Sequence, residues 1–180
     1  MPYLRTQTIT ATLAAWLRAW TNGGDAPTFD HVATYDAPDL LRALGDLLVV
    51  DPQKNQAALV VPSTQRYEGD KTPGRIVSRR KFQTLTVILA IRDVDGMPTT
   101  TTDDIEVAEF TAVTALVDQV VDAIADAEAV QPLLPGTQFF PESGGPQEIR
   151  EEENGPTLWR AFLLRFETPA GLREYRNATV

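Results

Sequence analysis

The sequence predicts a single α+β domain over residues 1–180, with a mainly antiparallel β-sheet on which a long helix and an N-terminal helix pack. The hydrophobic periodicity changes along the chain in the order α, β, α, β, β, α, β, β, and the long strands follow one another through turn signals rather than helical crossovers. Hydrophobic residues make up 43% of the 180 residues, which is enough for one sizeable core. No repeat or change in composition marks a second domain.

Two helices are predicted from apolar stripes and capping residues. The N-terminal helix should run from about Thr8 to Trp20, with Thr6 or Thr8 as its cap. The longest helix should run from about Asp103 to Ala127, because Asp103 and Glu106 have the spacing of a capping box. Its buried stripe is expected to contain Phe110, Val113, Leu116, Val117, Val120 and Ile124.

A short helix is predicted between the first two strands, from Asp39 to Leu44. Asp36 precedes a proline that suits the first turn of a helix, so we expect Asp36 to be the N-cap. Gly45 is expected to end this helix. The apolar run at 47–50 fits either the end of the helix or a brief strand.

Five strands are predicted, at His31–Tyr35, Ala57–Val61, Ile76–Arg92, Gln147–Glu152 and Leu158–Thr168. The third is apolar on both faces near its end, which predicts a central strand that is covered on both sides. Segment 63–81 should contain a loop or a protruding hairpin, and 170–180 should form an exposed tail. Gly23-Gly24 and Gly144-Gly145 are interpreted as turns, and Asn154-Gly155 as a hairpin signal.

The composition excludes several kinds of chemistry. The chain has no cysteine and only one histidine, His31, so thiolate sites, multi-histidine metal sites and most catalytic triads are impossible. No glycine-rich phosphate loop stands between a strand and a helix. We therefore expect a protein that is not an enzyme and has no cofactor and no bound metal.

Three chemical alternatives stay open at this point. His31 could act as a general base, although Asp30 beside it would point to the opposite side of a strand. The acidic run 151–153, with Glu142 and Glu148 nearby, could bind a hard cation, although a solvated hairpin flank explains it better. A catalytic carboxylate pair is possible in principle, because its spacing is set by the fold.

The net charge limits the kinds of partner, and the N-terminal pattern indicates the cellular location. At −9, it disfavours general binding to nucleic acid and to anionic membranes. The N-terminus lacks the pattern of a signal peptide, and no apolar run approaches the roughly 18 residues that span a bilayer. We expect the chain to be cytosolic when it is made.

Basic and acidic residues occur in separate segments. Basic residues cluster from Arg66 to Lys81, whereas the segment from Asp103 to Glu128 is acidic and contains no basic residue. These segments could contact each other between copies in head-to-tail order, which closes rings when the rotation per subunit permits it. A solvated strand end and a nucleic-acid contact remain alternatives for the basic segment. The interface candidates are Arg75, Arg79, Arg80 and Lys81 on one side and Glu109, Asp118, Asp122 and Asp126 on the other.

Several segments in this order of elements carry a family resemblance. They are the N-terminal helix ending in Trp16 to Trp20, Ser78-Arg79-Arg80-Lys81 with the strand Phe82 to Ile91 after it, the long helix after Asp104, Gln138-Phe139-Phe140-Pro141, and the closing Phe166-Glu167-Thr168-Pro169. Over about residues 4–170 the chain resembles the tail terminator, or tail-completion, proteins of long-tailed bacteriophages. The Mu-like branch is the more similar one, and the lambda terminator is a more distant relative.

The resemblance implies a structural virion protein. Such a protein forms a homo-oligomeric ring, expected to be a hexamer, which caps the tail tube, ends its polymerisation and joins the tail to the neck or connector. The implied partners are other copies of the chain, the tail tube protein, a neck or connector protein and the sheath, with DNA only as passing cargo. The implied location is the virion tail or neck, after assembly in the host cytoplasm. The alternatives are another head–tail joining or neck completion protein, and a non-catalytic module that binds a small ligand or a protein.

Overall fold

The computed structural model describes residues 3–69, 76–92, 103–150 and 157–176, with the backbone alone at 76–78, 103–111 and 172–176. Within these ranges the predicted α+β class and the predicted order of elements are confirmed. The Asn154-Gly155 hairpin signal lies outside the described residues. The elements are α1 (Thr6–Ala19), β1 (His31–Thr34), α2 (Leu40–Leu48), β2 (Gln56–Gly69), β3 (Ile76–Arg92), α3 (Asp103–Val130), β4 (Phe140–Arg150) and β5 (Thr157–Arg176).

The five strands form one sheet in the order β1-β2-β3-β5-β4. β1 pairs in parallel with β2, and α2 is the crossover between them. The other three pairs are antiparallel, as predicted for most of the sheet. β3 and β5 lie in the middle, so their side chains alternate between two covered faces.

One face of the sheet, here called the α1/α3 face, is covered by the N-terminal helix and the long helix. Ile9, Leu13 and Leu17 of α1 are fully buried on it, as expected from the apolar stripe. The stripe predicted for α3 is confirmed where its side chains are described; Phe110 lies outside those residues. The described members are Val113, Leu116, Val117, Val120 and Ile124.

The other face, here called the α2 face, is covered by the short helix near the end of β3. Trp159 is fully buried there and donates from Nε1 to the Leu47 carbonyl at 2.8 Å. The Arg92 guanidinium lies 4.3 Å from the Trp159 ring centre and donates to the Val50 carbonyl. Arg92 therefore lies at the edge of this part of the core. Because Leu89 packs on the α1/α3 face and Ile88 on the α2 face, the prediction that β3 is covered on both sides is confirmed.

The predicted caps of α1 and α2 are wrong, and the capping box predicted for α3 lies where only the backbone is described. Arg5, not Thr6 or Thr8, is the N-cap of α1, because the Thr6 hydroxyl donates to Gln83 Oε1 at 2.7 Å instead of capping. The N-cap of α2 is Asp39, not Asp36, and its side chain accepts from the Arg42 backbone N–H.

Gly45 does not end α2, which continues to Leu48. A glycine inside a helix costs about 1 kcal/mol relative to alanine. Burial of Ala43 and Leu47 against the sheet offsets that cost, since both are fully buried. The apolar run at 47–50 is therefore the end of the helix and the turn that follows it.

The Gly144-Gly145 turn and the end of the last strand were also mispredicted. Gly144 and Gly145 lie inside β4, opposite Leu164 and Leu163. A Cβ atom at Gly144 would overlap the Phe162 ring and lie 2.9 Å from the Leu163 carbonyl oxygen, so glycine here permits close packing. The Gly23-Gly24 prediction is different, because both residues do lie in a bend between α1 and β1.

Pro169 does not end β5, and residues 170–176 of the predicted tail belong to the strand, whereas 177–180 lie outside the described residues. The strand runs to Arg176, and Ala170 is fully buried. The pairing of β5 with β3 shifts register after Pro169, where Gly171 adopts a φ of 117°. This bulge accommodates the proline and lets pairing resume from Leu172.

Candidate functional site

An arm of three strands extends from one end of the sheet, and it consists of residues 64–69 of β2, 76–82 of β3 and 168–176 of β5. β2 pairs with β3 as far as Gly69 and Arg79, so the predicted segment 63–81 is a hairpin at its described positions. β5 pairs along the other side of β3 as far as Ile76. All side chains from Thr64 to Gly69 are exposed, which shows that the arm leaves the helix-covered core.

The predicted basic residues have different positions in the arm. Arg79 and Arg80 are exposed on β3. Lys81 is only 7% exposed and donates to the Leu4 carbonyl at 3.4 Å, and burial lowers its pKa. Arg75 lies outside the described residues. Lys81 therefore fixes the N-terminal segment to the arm, whereas Arg79 and Arg80 lie on the surface of the arm.

At the base of the arm, Arg66 is held by carboxylates of the chain itself. It donates to Glu167 at 2.7 Å and also to Glu68, and its guanidinium lies 4.6 Å from the centre of the Phe82 ring. Tyr3 packs edge-on against Tyr67 at 5.8 Å on the opposite side. These contacts order the base of the arm, which positions Arg79 and Arg80 beyond it.

The acidic candidates form a ridge on α3, defined here as Asp118, Asp122 and Asp126. They recur at i, i+4 and i+8, and all three are exposed. The ridge is about 12 Å long, because a helix rises about 1.5 Å per residue. Among the described residues, none of the three carboxylates is in an ion pair within the chain. Glu109 lies on the same helix, at a position where only the backbone is described.

The C-terminal end of α3 is fixed by Glu128. Its two carboxylate oxygens accept from the Phe139 backbone N–H at 3.2 and 3.1 Å. Burial raises the pKa of Glu128, and the hydrogen bond from Phe139 partly offsets this effect. Phe139 packs on Phe166 in the core, so this contact attaches the acidic helix to the sheet.

Two further surface features were missed from the sequence. Leu41 and Val49 are each 82% exposed on the outer side of α2, with Gly45 between them at helical spacing. On the α2 face of the sheet, an open cleft of about 320 Å³ lies between the start of α2 and the strands β3, β5 and β4. Arg165 lines this cleft. Neither feature has a local sequence signal, because each depends on which face of its element stays uncovered.

Among the described residues that were considered for catalysis or metal binding, no such site forms, and the acidic run 151–153 lies outside the described residues. His31 lies in β1, where burial, followed by the charges of Lys54 and Arg18, lowers its pKa. Asp30 accepts from the backbone N–H groups of Asn55 and Gln56, so it holds a turn rather than orienting His31. Among the described residues no group of three or more His, Asp or Glu side chains could hold a metal ion.

Neither a scan against protein-family models nor a search of curated proteins finds a match to this chain. Over the part of the chain that the structure describes, no helix is long and apolar enough to cross a membrane.

Proposed function

We propose that this chain is a structural subunit that assembles head to tail into a ring at the end of a bacteriophage tail tube. One observation carries the assembly: the exposed Arg79 and Arg80 of the arm and the unpaired carboxylates of the acidic ridge lie on separate surfaces of one chain.

The placement of these charges favours a contact between copies. The arm extends about 23 Å beyond Gln83, because seven strand residues rise about 3.3 Å each. Arg79 and Arg80 lie four and three residues beyond Gln83, at about 10–13 Å, which is comparable with the length of the acidic ridge. A surface that meets a different surface of the next copy forms a heterologous interface, which closes into a ring when the rotation per subunit permits it. Opposite charges also steer such encounters and set their orientation.

The tail-terminator role rests on the resemblance and on the order of elements that carries it. The ring would end polymerisation of the tail tube and present its other side to the neck or connector and to the sheath. It would comprise six copies if it follows the family. The net charge of −9 suits a ring around a DNA channel, since repulsion lets DNA pass without adhering. No step of this role makes or breaks a covalent bond.

Charge reversal tests the assembly. Two variants, Arg79→Glu with Arg80→Glu and Asp118→Lys with Asp122→Lys, should each fail to form rings, because arm and ridge then carry like charges. An equal mixture of the two should form rings again, with variants alternating around an even-numbered ring. The measurement is mass by light scattering at low salt, followed by negative-stain microscopy.

A matched control separates this contact from a general effect of charge. Asp36→Lys with Asp51→Lys makes the same charge change as the ridge variant at exposed positions on either side of α2, so it should assemble like the wild type. Assembly of both reversed variants, or a mixture that stays monomeric while the wild type forms rings, would refute the arm–ridge contact.

The role at the tail is tested with tail tubes of the same phage. The purified protein should bind at one end of each tube and stop its further growth, which electron micrographs and tube-length distributions would show. Rings that do not bind tube ends but do bind portal or connector rings would instead indicate a head–tail joining protein.

A further inference from the structure

We infer that the cleft on the α2 face is a binding site for a carboxylate on a small, partly apolar body. The inference does not depend on ring assembly, because every residue that forms the site belongs to one chain. The cleft holds about 320 Å³, which is at the lower end of the range for ligand sites and matches a group the size of an amino acid.

Arg165 is the charged group that lines this cleft. In the sheet it lies between Thr86 of β3 and Ser143 of β4, two hydroxyl-bearing residues that line the same cleft. Its guanidinium makes no ion pair or side-chain hydrogen bond with any described residue. A guanidinium with hydroxyls on both sides is a donor arrangement suited to the two oxygens of a carboxylate.

The neighbouring arginines show that Arg165 differs from its surroundings. On the same face, Arg66 forms an ion pair at 2.7 Å with Glu167, the acid two residues from Arg165. On the opposite face Arg160 pairs with Glu148 at 3.1 Å. Glu167 and Glu148 are therefore engaged by other arginines, and the described residue Glu142, which lies next to Ser143 on β4, makes no ion pair with Arg165.

The apolar residues that line the rest of the cleft indicate which chemical group is attached to the carboxylate. Leu40 at the start of α2, Leu163 and Pro146 line the cleft with apolar surface. Gly145 contributes no side chain, and a Cβ atom built on it meets nothing within 4 Å. Space for a short apolar body therefore adjoins the guanidinium, and a monocarboxylate with an aliphatic side chain fits better than a polyanion.

The test compares N-acetyl-L-leucine with its neutral amide in an NMR or calorimetric titration. The wild type should bind the acid at least tenfold more tightly than the amide, which is the fold-change expected for a hydrogen bond to a charged group. Arg165→Gln should weaken binding of the acid at least tenfold, and Arg165→Lys should weaken it less, because lysine keeps the charge but loses the planar fork.

Gly145→Leu provides a second, steric test. The Cβ atom of the added side chain meets no other atoms, so the variant should fold. The side chain should occupy the cleft, so the variant should no longer bind N-acetyl-L-leucine. Arg42→Gln, on the outer side of α2 and 71% exposed, is the control that should bind normally. Equal binding of acid and amide, no saturable binding by the wild type, or undiminished binding by Arg165→Gln would each overturn the inference.

The carboxylate can come from a free acid or from an acidic side chain of a neighbouring copy. If Arg165→Gln loses both the probe and the wild-type oligomeric mass, the source is a neighbour. If it loses the probe and keeps that mass, the source is a free acid. Both results support the site, and both are separate from the outcome of the arm and ridge reversals.

Discussion

The two faces of the sheet are built from the same strands but differ in how completely they are covered. On the α1/α3 face, two helices bury residues from Leu89 at one end to Phe166 near the other. On the α2 face, a single short helix covers the end around Trp159, and Arg165 and Glu167 remain on the uncovered half. Because strand side chains alternate, one set of residues stabilises the fold and its neighbours are available for binding.

The largest expected effect contrasts two adjacent residues on opposite faces. Phe166→Ala should lower the free energy of unfolding by about 3–5 kcal/mol, since it empties a fully buried site on the α1/α3 face. Arg165→Ala should change it by less than about 0.5 kcal/mol, because the side chain is exposed. Urea unfolding of both variants checks the contrast, and similar losses would contradict it.

Trp159 tests whether the covered half of the α2 face is a true core. Trp159→Phe should cost about 2–3 kcal/mol, because it leaves the Leu47 carbonyl without its donor and removes part of the surface beneath Arg92. Trp16→Phe is the control and should cost less, since Trp16 is only partly buried. If the two tryptophan variants were equally stable in thermal melts, the helix α2 would contribute little.

The adjacent glycines of β4 give a smaller, matched comparison. Gly144→Ala should lower the free energy of unfolding by about 1–2 kcal/mol, because its Cβ overlaps Phe162 on the α1/α3 face. Gly145→Ala, which faces the cleft, should be neutral or slightly stabilising. A reversed order in chemical unfolding would show that the assignment of the two faces in β4 is wrong.

The smallest effect concerns pH. Burial raises the folded-state pKa of Glu128 above its ordinary value near 4.5, so between the two values the folded state binds more protons than the unfolded state. The contribution of Glu128 to stability therefore falls as pH rises through this window. Glu128→Gln should remove that part of the pH dependence, and the exposed-site variant Asp126→Asn should retain it. Unfolding curves from pH 4 to 7 that decline equally in both variants would contradict this.

Long periodic elements could be predicted from the sequence. β3 has the predicted bounds, and α3 starts at the predicted Asp103. Their signals are local and repeated over many residues. The failed predictions include single residues that often interrupt elements. Gly45 and Pro169 were expected to end elements and Gly144 to lie in a turn, but each lies inside a helix or strand, where packing or a bulge accommodates it.

The candidate site was predictable only in part. The ridge acids and Arg79 were identifiable because like charges cluster along the chain. Burial of Lys81 was not, since it depends on where the N-terminal segment crosses the arm. Arg165 was also missed, because its lack of a partner depends on Glu167 being held by Arg66, a contact across 101 positions of sequence.

The most direct test of the account is the mass of the wild-type protein at low salt and at about 1 M NaCl, where charges are screened beyond about 3 Å. We predict at low salt a discrete closed species at a multiple of the 19.8 kDa chain mass, six times that mass if the family's hexamer is conserved, which dissociates at high salt. A single-chain mass under both conditions, and still in the presence of tail tubes, would contradict the central claim that the arm and the acidic ridge join neighbouring copies.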